Sequence, residues 1–244
     1  MKYIKFLTIF SILIFSYFTV YSQTADDIIN NHITAVGGMD KINSIKTAKI
    51  TGKSYGMGMD IPFVMTIDKP DKILLEITIQ GMTMKQAYDG TIGWDINPFQ
   101  GSKDPEKMND EQAKGMKEQA QFEGKLVNYK EKGSTVELLG KDDLEGTEIY
   151  KIRLTDKDSA ISTYYIDAKS YLVLKQDDKR KVKEKEINME TTLGDYKAED
   201  GYIMPHSIET KSDAGMMGSQ KVTIDKVEFN VPVDDSIFTM PESK

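Results

Sequence analysis

The chain contains no cysteine. That excludes disulfides and thiolate metal sites, and it leaves no thiol to carry a lipid anchor. Histidine is nearly as scarce: the two present, His32 and His206, are far apart in sequence. No Gly-x-Ser-x-Gly elbow, phosphate-binding loop or His-x-x-x-His pair occurs, so no motif points to catalysis or to a cofactor. His32 reads as a packing or capping residue on a helix, and His206, after Pro205, as structural. An excess of positive charge is also missing. Lys and Arg total 32 against 39 Asp and Glu, a net charge of −7. Such a balance lacks the electrostatic footprint of a nucleic-acid binder and argues against attachment to a membrane through a basic face. No Pro/Gly/Ser-rich linker divides the chain, and only one apolar run is long enough to draw attention.

That run is at the start. Lys2 and Lys5 precede the apolar stretch Phe6 to Val20, and Val20 and Ser22 occupy the −3 and −1 positions of a cleavage before Gln23. The pattern predicts a signal peptide over 1–22 and one exported domain over 23–244; an uncleaved anchor is the alternative. Removing Lys2 and Lys5 takes the charge to about −9. The expected location is the periplasm, without a lipid anchor.

The following pattern is helical. Thr24 with Asp27 has the spacing of a capping box. Ile28, Ile29, His32, Ile33 and Val36 recur at helical spacing until Gly37 and Gly38. A short second helix covers "MDKINSI". From there the period changes to two. Ile61, Phe63, Met65 and Ile67 alternate, as do Ile73, Leu75, Ile77 and Ile79, then Ile92, Trp94 and Ile96. Further alternating segments follow to the C-terminus. Asp89-Gly90, Glu145-Gly146 and Asp200-Gly201 are turn pairs between strands. Ten or more strands joined by short turns predict a large antiparallel sheet with one apolar face. One helix interrupts it, in "DPEKMNDEQAKGMKEQAQF", with Asn109 as its cap and a thin stripe of Met108, Ala113, Met116 and Ala120. The mixed-sign run Lys175 to Glu186 reads as a solvated hairpin.

Several segments together resemble a known family. "AYDGTIGWDINPFQG" (Ala87 to Gly101) is similar to the strand-turn-strand of the LolA-like periplasmic carriers of outer-membrane lipoproteins. "ADDIINNHITAVGGMDKINSIKTAKITG", "YYIDAKSYLVLK", "DYKAEDGYIMPHSIE" and "VDDSIFTMP" follow in a similar order. The resemblance implies a mainly β fold with few helices: an unclosed antiparallel β-barrel of about eleven strands, covered by a helical lid over a cavity for acyl chains. It implies lipid or lipoprotein acyl chains as partners, with transient membrane contact, an inner-membrane exporter and an outer-membrane acceptor.

Fourteen methionines fit that reading, because a flexible, polarizable side chain adapts to irregular ligands. By strand phase and residue type the expected lining is Phe63, Met65, Leu75, Ile77, Met82, Met84, Trp94, Met116, Tyr165 and Leu174, with Tyr164 and Phe122 nearby. An acyl chain of about fifteen methylenes leaves water with a gain on the order of 12 kcal/mol, so only a large apolar concavity can accept one from a membrane. Two alternatives stand beside the carrier. One is an envelope sensory or structural module that binds a protein. The other is a copper(I) binder using the thioethers of Met57 and Met59, Met82 and Met84, and Met216 and Met217.

Overall fold

The helix at the start of the described chain begins where its cap predicts. In the computed structural model, which describes residues 23–56, 58–101, 103–182, 185–213 and 219–242, α1 is Ala25–Ala35. The Thr24 hydroxyl accepts from the Asp27 amide at 3.2 Å, and the Asp27 carboxylate accepts from the Thr24 amide at 2.9 Å. Two of the helix's otherwise orphaned N–H groups are thereby satisfied. α2 is Gly38–Ser44. The turn between them needs glycine: Gly37 has φ 124°, and a Cβ there would stand 2.6 Å from the Gly201 carbonyl oxygen. α3 is Asp110–Gln119, capped by Asn109, whose side chain accepts from Gln112 N while Gln112 answers to Asn109 N. The expected leader, residues 1–22, lies outside the described residues, as do Met57, Met216 and Met217.

Thirteen strands form one antiparallel sheet. They are β1 Thr47–Gly56, β2 Met59–Asp68, β3 Lys72–Ile79, β4 Met82–Tyr88, β5 Gly93–Ile96, β6 Glu106–Lys107, β7 Thr135–Leu144, β8 Thr147–Thr155, β9 Ile161–Asp167, β10 Val173–Val182, β11 Lys185–Glu199, β12 Tyr202–Ser212 and β13 Ser219–Phe229. The sheet order is β6-β5-β4-β3-β2-β1-β13-β12-β11-β10-β9-β8-β7. Two meanders are thus joined at the centre by the pairing of β1 with β13, and β6 and β7 end the sheet without pairing to each other. The unclosed barrel is as expected; the strand count is thirteen rather than about eleven. β6 has only two residues, too short for any alternation to register. Tight hairpins carry the predicted turn residues: Glu145-Gly146 and Asp200-Gly201 both take positive φ, the backbone that matches strand twist in a two-residue loop. The charged run is indeed a hairpin, with β10 and β11 paired from Lys175↔Thr192 to Val182↔Lys185.

The helices and the segment 120–134 lie on one face, the inner one. Ile28 and Ile29 of α1 pack with Leu126, Tyr129, Ile152, Tyr164 and Val173. Val36, Ile42 and Ile45 pack with Ile50, Val127, Tyr202, Met204 and Ile224. Met108, Met116 and Ala120 pack with Ala48, Ile67, Ile73 and Tyr88. A fourth cluster, Leu74, Ala87, Trp94 and Phe238, uses the sequence neighbours of Ile73 and Tyr88. Alternation along a strand puts it on the opposite, outer face, where the one-turn helix Asp235–Phe238 straps the C-terminal segment across β3–β5.

Candidate functional site

The inner face of β2–β4 is apolar except at Gln86, which pairs with Leu75. Register sets Met65 opposite Leu75 and Ile50, Phe63 opposite Ile77 and Gly52, Ile77 opposite Met84, and Ile79 opposite Met82. Gly52 makes room for its partner. A Cβ there would be 2.8 Å from the Phe63 ring and 2.3 Å from the Thr223 carbonyl oxygen. Met65, Leu75 and Met116 meet in the cluster beneath α3, and Phe63 joins the one around Ile50 and Tyr202. Met84 and Ile77 lie further out, half-buried, and Met82 is exposed at the strand's beginning. α3 is seated closely: a Cβ on Gly93 would be 2.9 Å from Met108 Sδ and 3.1 Å from Ala113 Cβ.

The internal space lies on the other half of the sheet. A cavity of about 310 Å³ opens between the C-terminal half of α1, the segment after α3 and strands β9–β12. Its apolar wall includes Val36, Phe122, Leu126, Tyr164, Val173, Leu193, Tyr196, Tyr202 and Ile208. Aromatic contacts stiffen one side: Phe122 meets Tyr202 edge-on at 5.7 Å and stacks on Phe229 at 5.9 Å. Its polar groups are His32, Gln176, Glu118, Gln121, Glu123 and Lys125. An apolar concavity with a small number of polar groups is the usual form of a small-molecule site.

Burial governs the chemistry of these groups. His32 Nδ1 stands 2.8 Å from the Tyr171 carbonyl. A carbonyl can only accept, so Nδ1 carries the proton and Nε2 is the free lone pair of a neutral ring. Burial holds the His32 pKa below its usual 6.5, against the opposing effect of that hydrogen bond. Burial raises Tyr164 and Tyr202 well above the ordinary phenol range, with the charges of Asp178 and Glu123 adding to it. Tyr196 is also raised by burial, and its hydroxyl donates to the Val173 carbonyl. Glu123 is almost enclosed. Lys69 Nζ lies 3.6 Å from its Oε2 and 5.3 Å from the Phe122 ring centre, and donates to the Ile42 carbonyl at 3.3 Å. Lys132 is lowered by burial, partly offset by Glu123, and donates to the Gly124 carbonyl at 3.0 Å. The arrangement supplies an apolar wall and ion pairs that close one side.

A sequence model of a protein family, described as "-like: Uncharacterized protein", matches residues 112–242, more than half of the chain. The chain belongs to that family. No curated protein matches it. Among solved structures, a LolA superfamily protein from Nitrosomonas europaea is similar at a TM-score of 0.61 and 12% identity, covering 89% of this chain and 98% of that one. A DUF1329 family protein from Desulfovibrio piger follows at 0.59 and 11%, with the same coverage. A putative outer membrane lipoprotein-sorting protein domain from Vibrio parahaemolyticus reaches 0.56 and 10%, covering 87% and 94%. The fold is LolA-like.

Within this LolA-like half-barrel the expected lining residues divide. Phe63, Met65, Leu75, Ile77, Met82 and Met84 share the inner face of β2–β4, with Met116 against two of them. Trp94 is on the outer face, 2% exposed, its Nε1 donating to the Phe238 carbonyl at 2.7 Å. Tyr165 is also on the outer face. Its hydroxyl donates to Asp177 at 2.7 Å between Lys151 and Lys175, and burial together with Asp177 pushes its pKa up to about 12. Leu174 sits at the register break in β10 between Val173 and Lys175. None of the ten lines the cavity, whereas Tyr164 and Phe122 do. Of the thioethers in the copper alternative, Met59, Met82 and Met84 lie within the described residues.

Proposed function

We propose that this protein is a non-enzymatic carrier that holds one acyl chain of a lipid or lipidated cargo in the cavity under α1. The observation that carries the reading is the cavity itself, an unfilled apolar space inside a sheet otherwise covered by well-packed helices. The LolA-like fold and its likeness to a lipoprotein-sorting domain support it. A methylene is about the size of a water molecule, roughly 30 Å³, so 310 Å³ accommodates a chain of about ten methylenes. That is shorter than the fifteen assumed from sequence. At about 0.8 kcal/mol each, ten methylenes contribute about 8 kcal/mol, which before ordering costs corresponds to a dissociation constant of about 1 μM. Such binding holds a chain in transit and still releases it. In this reading the protein works in the periplasm, between an inner-membrane donor and an outer-membrane acceptor. No helix among the described residues is long and apolar enough to cross a membrane.

Mass spectrometry of an organic extract of the purified protein tests the reading, together with calorimetric titration of a fatty-acid series. Affinity is expected to rise about fourfold per methylene up to decanoate and then level off. Leu193→Trp, which fills the space, is expected to weaken decanoate at least tenfold. An extract without lipid, combined with no binding of decanoate or palmitate, rejects the proposal.

A further inference from the structure

Among the described residues five large apolar side chains are exposed: Tyr55, Met59, Met82, Phe99 and Leu139, at 54%, 41%, 43%, 44% and 38%. Four of them gather at one edge of the sheet. Tyr55 and Met59 flank the β1–β2 turn, Met82 follows the β3–β4 turn, and Phe99 is in the one-turn helix Pro98–Gln100 directly after β5. Antiparallel pairing puts these three tips side by side. The tips are also free of charge. None of residues 54–56, 58–59, 77–84 and 96–101 is Asp, Glu, Lys or Arg, in a chain where those types make up 29%. Charge resumes immediately below them, at Lys53, Asp60, Asp95 and the Glu76–Lys85 ion pair of 2.8 Å.

We infer that this edge docks on a lipid bilayer, with the three uncharged tips entering the headgroup–acyl boundary. Separate fingers of Tyr, Met and Phe suit a deformable surface better than a single complementary groove. Tyrosine and other aromatics favour the interfacial layer, and methionine adapts to disordered chains. The dimensions agree. From the Glu76–Lys85 pair to the β3–β4 turn is three residues, so that tip projects about 10 Å beyond its charged neighbours at about 3.3 Å per residue, within the ~5–10 Å over which interfacial elements embed; the β1–β2 tip is shallower, with Asp60 and Lys221 opposite Tyr55. Charge complementarity favours an anionic surface. The β10–β11 hairpin reaches the same edge, and by sequence its described end, 179–182 and 185–186, is net positive: Lys179, Arg180, Lys181 and Lys185 against Glu186. The net-negative remainder of the protein would then face away from the lipid. Phe63 and Ile77 extend the apolar strip inward from the tips, and Phe63 packs against the cluster containing Tyr202, a wall of the cavity.

Flotation of the protein, purified as exported, with vesicles tests this, using phosphatidylethanolamine–phosphatidylglycerol at three to one and pure phosphatidylcholine. The wild-type protein is expected to float with the anionic vesicles. Met59→Asp, Met82→Asp and Phe99→Asp combined are expected to reduce the bound fraction at least tenfold. Leu139→Asp, which changes the one exposed apolar residue away from the tips, is expected to leave it unchanged. Circular dichroism and Trp94 emission report whether each variant is folded; the corresponding glutamine triple variant replaces the aspartate one if that fails, with the same expectation. The inference is overturned if the wild-type protein floats with neither vesicle. It is equally overturned if the tip variants float as the wild type does, or if Leu139→Asp loses as much as they do. The fatty-acid titration is independent of these tips, so failure here leaves the carrier reading standing, and the reverse also holds.

Discussion

At the residue scale, burial sets what individual side chains can do. His32 is held neutral in the fold, with its pKa below the 6.5 it has when exposed. The unfolded chain therefore binds the extra proton first as pH falls. Stability contributed by the neutral ring is complete above pH 6.5 and declines as pH drops from there towards the folded-state pKa. Thermal melts from pH 7.5 to 5.5 are expected to show a falling midpoint, and His32→Gln to flatten part of that slope. Gly52 offers a second test. Its missing Cβ is what lets the Phe63 ring and the Thr223 carbonyl approach, so Gly52→Ala is expected to cost about 1–3 kcal/mol through overpacking, read as a lower urea midpoint. Trp94, the only tryptophan, reports on the outer face. Phe238→Ala is expected to cost about 3–5 kcal/mol and shift Trp94 emission to the red. Decanoate bound in the cavity should leave that emission unchanged. This scale was the hardest to read from sequence. Tyr164 and Tyr165 are adjacent and alike in type, and only strand phase separates a cavity wall from a charged outer surface. The register break beside Leu174 and the positive φ of Asp195 in β11 disturb that phase where the cavity is lined.

At the element scale, the caps were legible because a cap is local chemistry: Thr24 with Asp27, and Asn109 at the start of α3, need only their own neighbours. The apolar alternation of β2 and β3 was legible for the same reason, since period two survives whatever the sheet does. What α3 rests on was not, because Gly93 and Met108 meet only after β5 and β6 have paired. Two kinds of contact hold α3. Its ion pairs, Lys114 with Asp158 and Lys117 with Asp71, join half-exposed groups, and such pairs contribute about 0–1 kcal/mol. Met116 is buried among Ile67, Ile73 and Tyr88, where truncation to Ala costs about 2–5 kcal/mol. Packing therefore anchors this helix and charge does not. Met116→Ala is expected to speed amide hydrogen exchange throughout α3, whereas Lys114→Ala is expected to change it little. Asn109→Ala belongs between them, at about 1 kcal/mol.

At the scale of the whole molecule, alternation and turns predicted a one-faced sheet, and the quoted segments implied a lidded half-barrel. Neither could predict the partition of its interior. The β2–β4 half is filled by α3, while the β9–β12 half keeps open space, because that depends on where 120–134 crosses the sheet. The apolar pattern alone reads the same in both halves. Chain-length selectivity belongs to this scale. A levelling of affinity near decanoate reflects the dimensions of the cavity, whereas a continued rise to palmitate would require α1 and the crossing segment to move apart.

The central seam has a consequence for synthesis. Strands β1 and β13 are partners, with Ala48 opposite Phe229, so the middle of the sheet must wait until β13 has been made. Each flanking meander can zip up from neighbouring hairpins, but the seam closes a very long loop, which makes it the slow, late event. A nascent chain halted before Ser219 is expected to remain protease-sensitive around β1 and to become resistant only once β13 emerges and pairs with it. Early resistance in such halted chains would contradict this. A polypeptide that postpones closing its central seam in this way stays threadable until β13 is free.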